Sequence, residues 1–373
     1  MVTQEIKDEI KKLFDSTPDY VGVGYGYKKT GSKFTKEESI VFFVPEKKPI
    51  NEIPENEILP TEPIIINEKI IKMDVVELGK TKAFACNSQC YEWQSTPPDN
   101  RNYIRPIKGG LSITSTNNLG FVGTMGFVAV DSETQTLVGV TNNHVVIKDA
   151  FYTSDRNLSG IVENEYDITD GGPVNPDKAY QPGESSTPPS NYQIGQVIRY
   201  VPITNTVGGV NVNKVDGALI SLSGTPTLSL SESYQQFGIT SFSVPTPFAT
   251  TEEIDNLLIS NPLLKSSGRT TGVKDGNPCP LRPIYLNSII PVGGYHLQGV
   301  ETVVTFSELI GFVRPTDDPS LESICLYPIY PGDSGSALIA DFDGINKIVG
   351  LCFAGSDYFA DRKSTRLNSS HRT

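Results

Sequence analysis

The chain has 373 residues, 31 Lys and Arg against 43 Asp and Glu, and a formal net charge of -12. That length can bury a large core and house more than one domain. The acidic balance excludes general nucleic-acid or anionic-membrane binding, which needs concentrated Lys and Arg. No apolar run approaches the ~20 residues of a membrane span. The N-terminus lacks the apolar core of a secretory signal, so a cytoplasmic location is expected. With 33 Gly, 27 Pro and many Val, Ile and Thr runs, the composition points to a mainly β protein with frequent turns. Cysteines at 86, 90, 279, 325 and 352 have no framework spacing, and reduced thiols are expected. A zinc site on Cys86 and Cys90 would need two distant partners, because their spacing is not a knuckle.

Ile6, Ile10, Leu13 and Phe14 form one apolar stripe with Lys and Glu between them, which predicts a helix over 3–14. Strand-like runs follow at 20–27, 39–44 and 64–78, so residues 1–80 read as a small α+β domain. Residues 81–108 turn polar and Pro-bearing, contain Trp93, and read as a linker. From 109 the texture becomes all-β. A strand at 119–130, an Asp131–Thr134 turn and a strand at 136–140 run into Thr141-Asn142-Asn143-His144. Residues 150–190 are Pro-, Asp- and Gly-rich and read as a surface insertion, with the acidic stretch 163–170 as a solvated loop. The first β unit spans 109–225. A Pro- and Ser-rich connection at 226–264 holds one helical stretch, 252–258. A second β unit covers 265–360. The tail 361–373, DRKSTRLNSSHRT, changes character abruptly and reads as a non-native terminus resembling a translated sequencing adaptor.

The chemistry centres on Pro331-Gly332-Asp333-Ser334-Gly335-Ser336-Ala337. A serine hydroxyl becomes a nucleophile only with a base beside it and donors for the resulting oxyanion. Glycines around Ser334 let the backbone turn sharply and expose amide N–H groups. Three histidines can supply the base. His371 lies in the tail, and His296 sits between strand signals as a structural residue. His144 ends an apolar strand. Asp216, in Val215-Asp216-Gly217-Ala218-Leu219-Ile220, stands at the mouth of another. The order Ser, acid, His of α/β-hydrolases fails here, and so does Asp, His, Ser. The order found is His, Asp, Ser.

With TNNHVV, VDGALI and YPGDSGSAL in that order, the chain resembles the trypsin-like serine peptidases. It is most similar to the bacterial and plant branch that includes the plant narrow-leaf proteins. VGVGYGYK, RPIKGGLSI, IGQVIRYVPI, KSSGRTTGV and VGLCFAGS extend the resemblance over about residues 20–358. It implies a chymotrypsin-like double β-barrel, one barrel in each β unit, behind the α+β domain. It implies a serine endopeptidase acting on protein or peptide substrates, with no cofactor and no metal. His144 would be the base and Asp216 its orienting acid. Gly332 and Ser334 would supply the oxyanion-hole amides, and Phe353, Ala354 and Gly355 the edge on which substrate adds as a strand. Asp333 would fix the turn, and Arg269 would be structural. Pro328, six before the nucleophile, gives no basis for preferring Lys or Arg. The alternative is a catalytically silent module of the same fold that binds extended peptides or partner proteins.

Overall fold

The computed structural model describes residues 1–30, 33–83, 86–87, 99–116, 119, 121–147, 166–167, 178–201, 203, 213–222, 234–242, 247–275, 280–297, 300–313 and 329–356. Trp93, Cys90, Cys279, Cys325, Pro328, His371, most of 150–177 and the tail 361–373 lie outside the described residues, as do the side chains of Cys86 and His296. The protein is mainly β, built from several sheets, one of them curled into a half-barrel.

The N-terminal stretch forms α1 (Gln4–Asp15), β1 (Gly22–Thr30), β2 (Lys33–Val44), β3 (Ile64–Ile66), β4 (Lys69–Glu77) and β5 (Thr81–Ala83). The single extended segment expected at 64–78 is instead a hairpin. Asn67 and Glu68 both take positive φ, at 50° and 64°, and reverse the chain between β3 and β4. Helix α1 buries Ile6, Ile10 and Leu13, the residues its periodicity selects.

The next stretch supplies β6 (Cys86–Asn87), β7 (Ser112–Ser115), β8 (Phe121–Thr124), β9 (Phe127–Val130), β10 (Leu137–Thr141), α2 (Asn143–Val146), β11 (Tyr166–Asp167), β12 (Lys178–Tyr180), β13 (Gln193–Tyr200) and β14 (Ala218–Ser221). They form one sheet in the order β6-β8-β7-β12-β13-β14-β10-β9, with β11 on β13. The strand expected over 119–130 breaks at Met125-Gly126, where the chain leaves β7 and Gly126 N–H donates to Val140 O at 2.7 Å. The expected insertion ends inside the sheet, because β12 lies between β7 and β13 with Ala179 fully buried. Three residues carrying one small apolar side chain give no periodic signal.

The C-terminal part contributes α3 (Thr251–Asp255), α4 (Leu257–Ser260), β15 (Leu263–Gly268), β16 (Gly272–Lys274), β17 (Arg282–Leu297), β18 (Val300–Val313), β19 (Ala337–Phe342), β20 (Ile345–Leu351) and β21 (Ala354–Ser356). The expected single helical stretch is two short helices meeting at Asn256, the first closed by a Thr250–Glu253 capping box. Strands β16-β15-β19-β20 form a four-stranded sheet.

The expected separation of residues 1–80 from the rest is not what the pairing gives. Strand β17 joins β1 through Val23↔Ile289, Tyr25↔Leu286 and Gly26↔Tyr285, so one sheet runs β21-β5-β17-β1-β2-β4-β3. The alternating glycines of VGVGYGYK explain the join. A Cβ on Gly24 would stand 2.3 Å from Ser288 Oγ, and one on Gly26 would stand 2.1 Å from Ile284 O. The other side of β1 carries Val23 and Tyr25 into a core shared with Ile10, Phe42, Leu257 and Leu286.

In the His- and Asp-bearing sheet, the turn between β9 and β10 is closed by Asp131. It accepts from Thr134 Oγ1 at 2.7 Å, from Glu133 N at 3.1 Å and from Arg199 Nη2 on β13. The Arg199 hydrogen bond, chiefly, holds this carboxyl down at about 2, against an ordinary 3.8. A depressed carboxyl stabilises the fold above its unfolded value and loses that contribution as the pH falls through its folded one. In urea unfolding, the stability gap between the parent and Asp131→Asn is therefore expected to be full at pH 6. It should close as the pH drops from about 4 towards 2.

Candidate active site

The pairing of β10 with β14 sets the site. Thr141 lies opposite Ala218, so the three residues beyond Thr141 and the two before Ala218 converge. There α2 turns His144 inward and presents it to Asp216. His144 Nδ1 lies 2.5 Å from Asp216 Oδ2, and His144 N donates to Asp216 Oδ1 at 3.2 Å. Asn142 Nδ2 donates to the Asp216 carbonyl at 2.6 Å, and Asn143 Nδ2 to Val201 O at 2.7 Å. Asn142 and Asn143 thus clamp the backbone around the pair. His144 is 8% exposed and Asp216 4%.

A third group completes this cluster. Tyr295, from β17, is 2% exposed and donates its hydroxyl to Asp216 Oδ2 at 2.6 Å. Its ring meets the His144 ring edge-on at 5.9 Å between centroids. Burial alone pushes the Asp216 carboxyl up. The His144 charge and the hydrogen bonds from His144 and Tyr295 outweigh it and leave the group below its ordinary value. Burial first, then the Asp216 charge, drives the Tyr295 phenol far upward, so this hydroxyl stays a donor at any working pH.

Ser334 sits at the head of the turn between residue 329 and β19. Gly332 and Gly335 both take positive φ, at 96° and 90°, where a side chain is strained. A Cβ on Gly335 would also stand 2.2 Å from Thr124 O. Asp333 N donates to Tyr330 O at 2.8 Å, Ser336 N to Asp333 O at 2.9 Å, and Gly335 N to Cys352 O at 2.8 Å. Ser334 Oγ donates to Phe353 O at 3.3 Å. The two amides expected to meet an oxyanion, Gly332 and Ser334, flank Asp333 in this turn.

The Asp333 carboxylate is fully buried and organises the turn from inside. Thr270 N, Thr271 N, Thr271 Oγ1 and Tyr330 N donate to it at 2.8, 3.0, 2.7 and 2.9 Å. Lys274 Nζ, itself 3% exposed, lies 3.5 Å away and also donates to Thr271 Oγ1. The positive charge facing this acid therefore comes from β16. Arg269 is buried too, with Nε on Glu184 Oε1 at 2.9 Å and its carbonyl accepting from Arg101 Nε at 3.1 Å.

Thr124 at the end of β8 ties the halves together. Its N–H donates to Ser334 O at 2.8 Å and its hydroxyl to Gly332 O at 2.8 Å, while its carbonyl accepts from Thr141 Oγ1 at 2.7 Å. A second link runs through stacked rings, Tyr295 to Phe306 at 5.7 Å and Phe306 to Phe353 at 4.8 Å. A cavity of about 1260 Å³ lies beside them, lined by Asp216, Phe306, Phe353, Ala354 and Gly355 but by neither His144 nor Ser334.

The structure thus brings His144 directly onto Asp216. Thr124 links the Ser334 turn to Thr141, three residues before His144, while the Ser334 hydroxyl is held by Phe353 O. The edge expected to receive substrate is already paired. Ala354 and Gly355 lie in β21 opposite Ala83 and Lys82 of β5, a strand inside the expected linker. Tyr295, Lys274 and Thr124 are the contributors that sequence reasoning passed over. Tyr295 adjoins His296 in GGYHL, where a search for a base weighs only the histidine. Lys274 follows the KSSGRTTGV run by one residue, and a lone Lys there carries no signal.

Two substitutions test these supports. Tyr295→Phe deletes a hydrogen bond to a charged group and is expected to lower unfolding stability by about 1.5–3 kcal/mol in a denaturant titration. Lys274→Met leaves the Asp333 carboxylate buried without its cation and should cost about 3–5 kcal/mol in the same measurement. No family model matches the chain, and no curated protein shows significant similarity to it.

Proposed function

We propose that this protein is a serine endopeptidase that hydrolyses peptide bonds through Ser334, His144 and Asp216. The observation that carries the reading is the buried His144–Asp216 pair at 2.5 Å, on a strand end whose Thr141 is linked by Thr124 to a glycine-framed serine turn. An imidazole whose Nδ1 faces a buried carboxylate presents Nε2 as a base and is stabilised once it takes a proton. Ser334 Oγ attacks the carbonyl carbon as His144 accepts its proton. The amides of Gly332 and Ser334 stabilise the oxyanion, a contribution of typically ~10²–10³ in rate per donor. His144 returns the proton to the leaving amine, and water then cleaves the acyl-enzyme ester.

The two-barrel architecture belongs to this reading. The β6–β14 sheet stands for the barrel bearing His144 and Asp216. The β15–β20 strands with β17, β18 and β21 stand for the barrel bearing Ser334. Asp333, with five donors around it, holds the serine turn in place without a newly cut N-terminus. The silent peptide-binding module draws on a different observation, the occupied edge of β21.

The test is labelling by a fluorophosphonate probe. The parent is expected to label at Ser334, while Ser334→Ala and His144→Ala do not. Asp216→Asn should retain binding but lose about 10⁴-fold in turnover of an ester or peptide substrate. Absence of labelling in folded parent protein would favour the silent module.

A further inference from the structure

Asp216 Oδ2 receives two donors, His144 Nδ1 at 2.5 Å and the Tyr295 hydroxyl at 2.6 Å. Its Oδ1 receives the His144 amide at 3.2 Å. A hydrogen bond to an ionised acid stabilises its charge where it is and weakens its pull on a neighbouring cation. The Tyr295 hydroxyl therefore moderates the attraction of Asp216 for a protonated His144 ring. It also fixes which carboxylate oxygen faces Nδ1, since both donors meet the same one.

The ring of Tyr295 acts as well. It stands edge-on to the His144 ring, at 87° between planes, and limits how far the imidazole can swing. Tyr295 packs on Phe306 at 5.7 Å between centroids, and Phe306 on Phe353 at 4.8 Å. The Phe353 carbonyl in turn accepts from Ser334 Oγ at 3.3 Å. Tyr295 and Phe306 are both buried, and in a close-packed interior a shift of one ring is passed to the next. The placement of Tyr295 is specific. The β17–β18 register shifts between Val292 and Tyr295, and Gly294 between them takes a φ of 83°. Such an irregularity bends a strand and re-aims the side chain beside it, here towards Asp216.

We propose that Tyr295 is a positioning residue of the reaction at Ser334, holding Asp216 to His144 and setting that pair relative to the serine through Phe306 and Phe353. This rests on the peptidase reading above. Removing the hydroxyl leaves the Asp216 charge to act on the imidazole alone, so His144 keeps its proton to higher pH. The neutral ring is the base, so the acid limb of the reaction then moves upward. Among the described residues, the titratable groups set against Asp216 are His144 from α2 and Tyr295 from β17. Lys214, two residues before Asp216, pairs with Glu308 of β18 at 3.3 Å. Both of those side chains are more than half exposed, where solvent screens them.

The full chain and its variants are followed from about pH 5 to about pH 9 by two measurements. One is the rate of fluorophosphonate labelling at Ser334. The other is NMR titration of ¹³C-labelled histidine, with the His144 signal identified by its loss in His144→Gln. Tyr295→Phe is expected to raise both midpoints by about half a pH unit to one unit. Tyr295→Leu also removes the ring and is expected to lose about a hundredfold in labelling rate at high pH. Asp131→Asn, a substitution in the distant β9–β10 turn, should keep the parent's midpoints and rate, which separates positioning from stability alone. A parent that labels, with a Tyr295→Phe profile superimposed on its own and Tyr295→Leu as fast, overturns the positioning role and leaves the peptidase reading standing. A Tyr295→Phe midpoint that falls overturns the moderating action of the hydroxyl. A folded parent that never labels overturns the peptidase reading, and this role with it.

Discussion

A carboxylate withdrawn from water must be surrounded by donors, or it will take up a proton. Asp216 meets that condition with His144, Tyr295 and the His144 amide, and the requirement reaches far into the structure. The His144 amide is available only because β10 ends at Thr141 and turns into α2. The Tyr295 hydroxyl is available only because β17 runs past its partner β1 and continues to the corner of the other sheet. Satisfying one acid thus fixes the relation between two sheets. The imidazole gains its orientation from the same contacts, so local stability and the chemistry of the site share one cause.

Asp333 repeats the arrangement inside the serine turn. Backbone amides, a hydroxyl and the Lys274 ammonium surround it, and the turn carrying Ser334 is wrapped around that carboxylate. The donors come from the loop between β15 and β16, from Lys274 on β16 and from the start of the turn itself. Gly268 must lack a side chain for this, since a Cβ there would stand 2.3 Å from Asp333 Oδ1. The serine turn is therefore held from within, with Lys274 facing the buried acid.

Strand β5 connects the two themes. It lies between β17, which carries Tyr295, and β21, which follows the carbonyl that holds Ser334. A sheet edge left open is a binding surface, and here the molecule covers it with its own backbone.

The residue order His144, Asp216, Ser334, the glycine frame of the serine turn and the apolar stripe of α1 are written in local sequence. Each depends on neighbours within a few residues and so is legible without a fold. Elements such as the Asp131 turn are legible for the same reason. What tertiary structure alone decided are the contacts between distant segments. These are Tyr295 on Asp216, 79 residues apart, Lys274 on Asp333, 59 apart, β1 on β17, and β5 on β21. Such pairings rest on strand register and on backbone hydrogen bonds, which every residue but proline can make. Thr81-Lys82-Ala83 therefore carries no mark of the edge it covers. The glycines of VGVGYGYK are the exception. Their alternation announces a face that another strand can approach closely, although only the folded chain shows that the strand is β17.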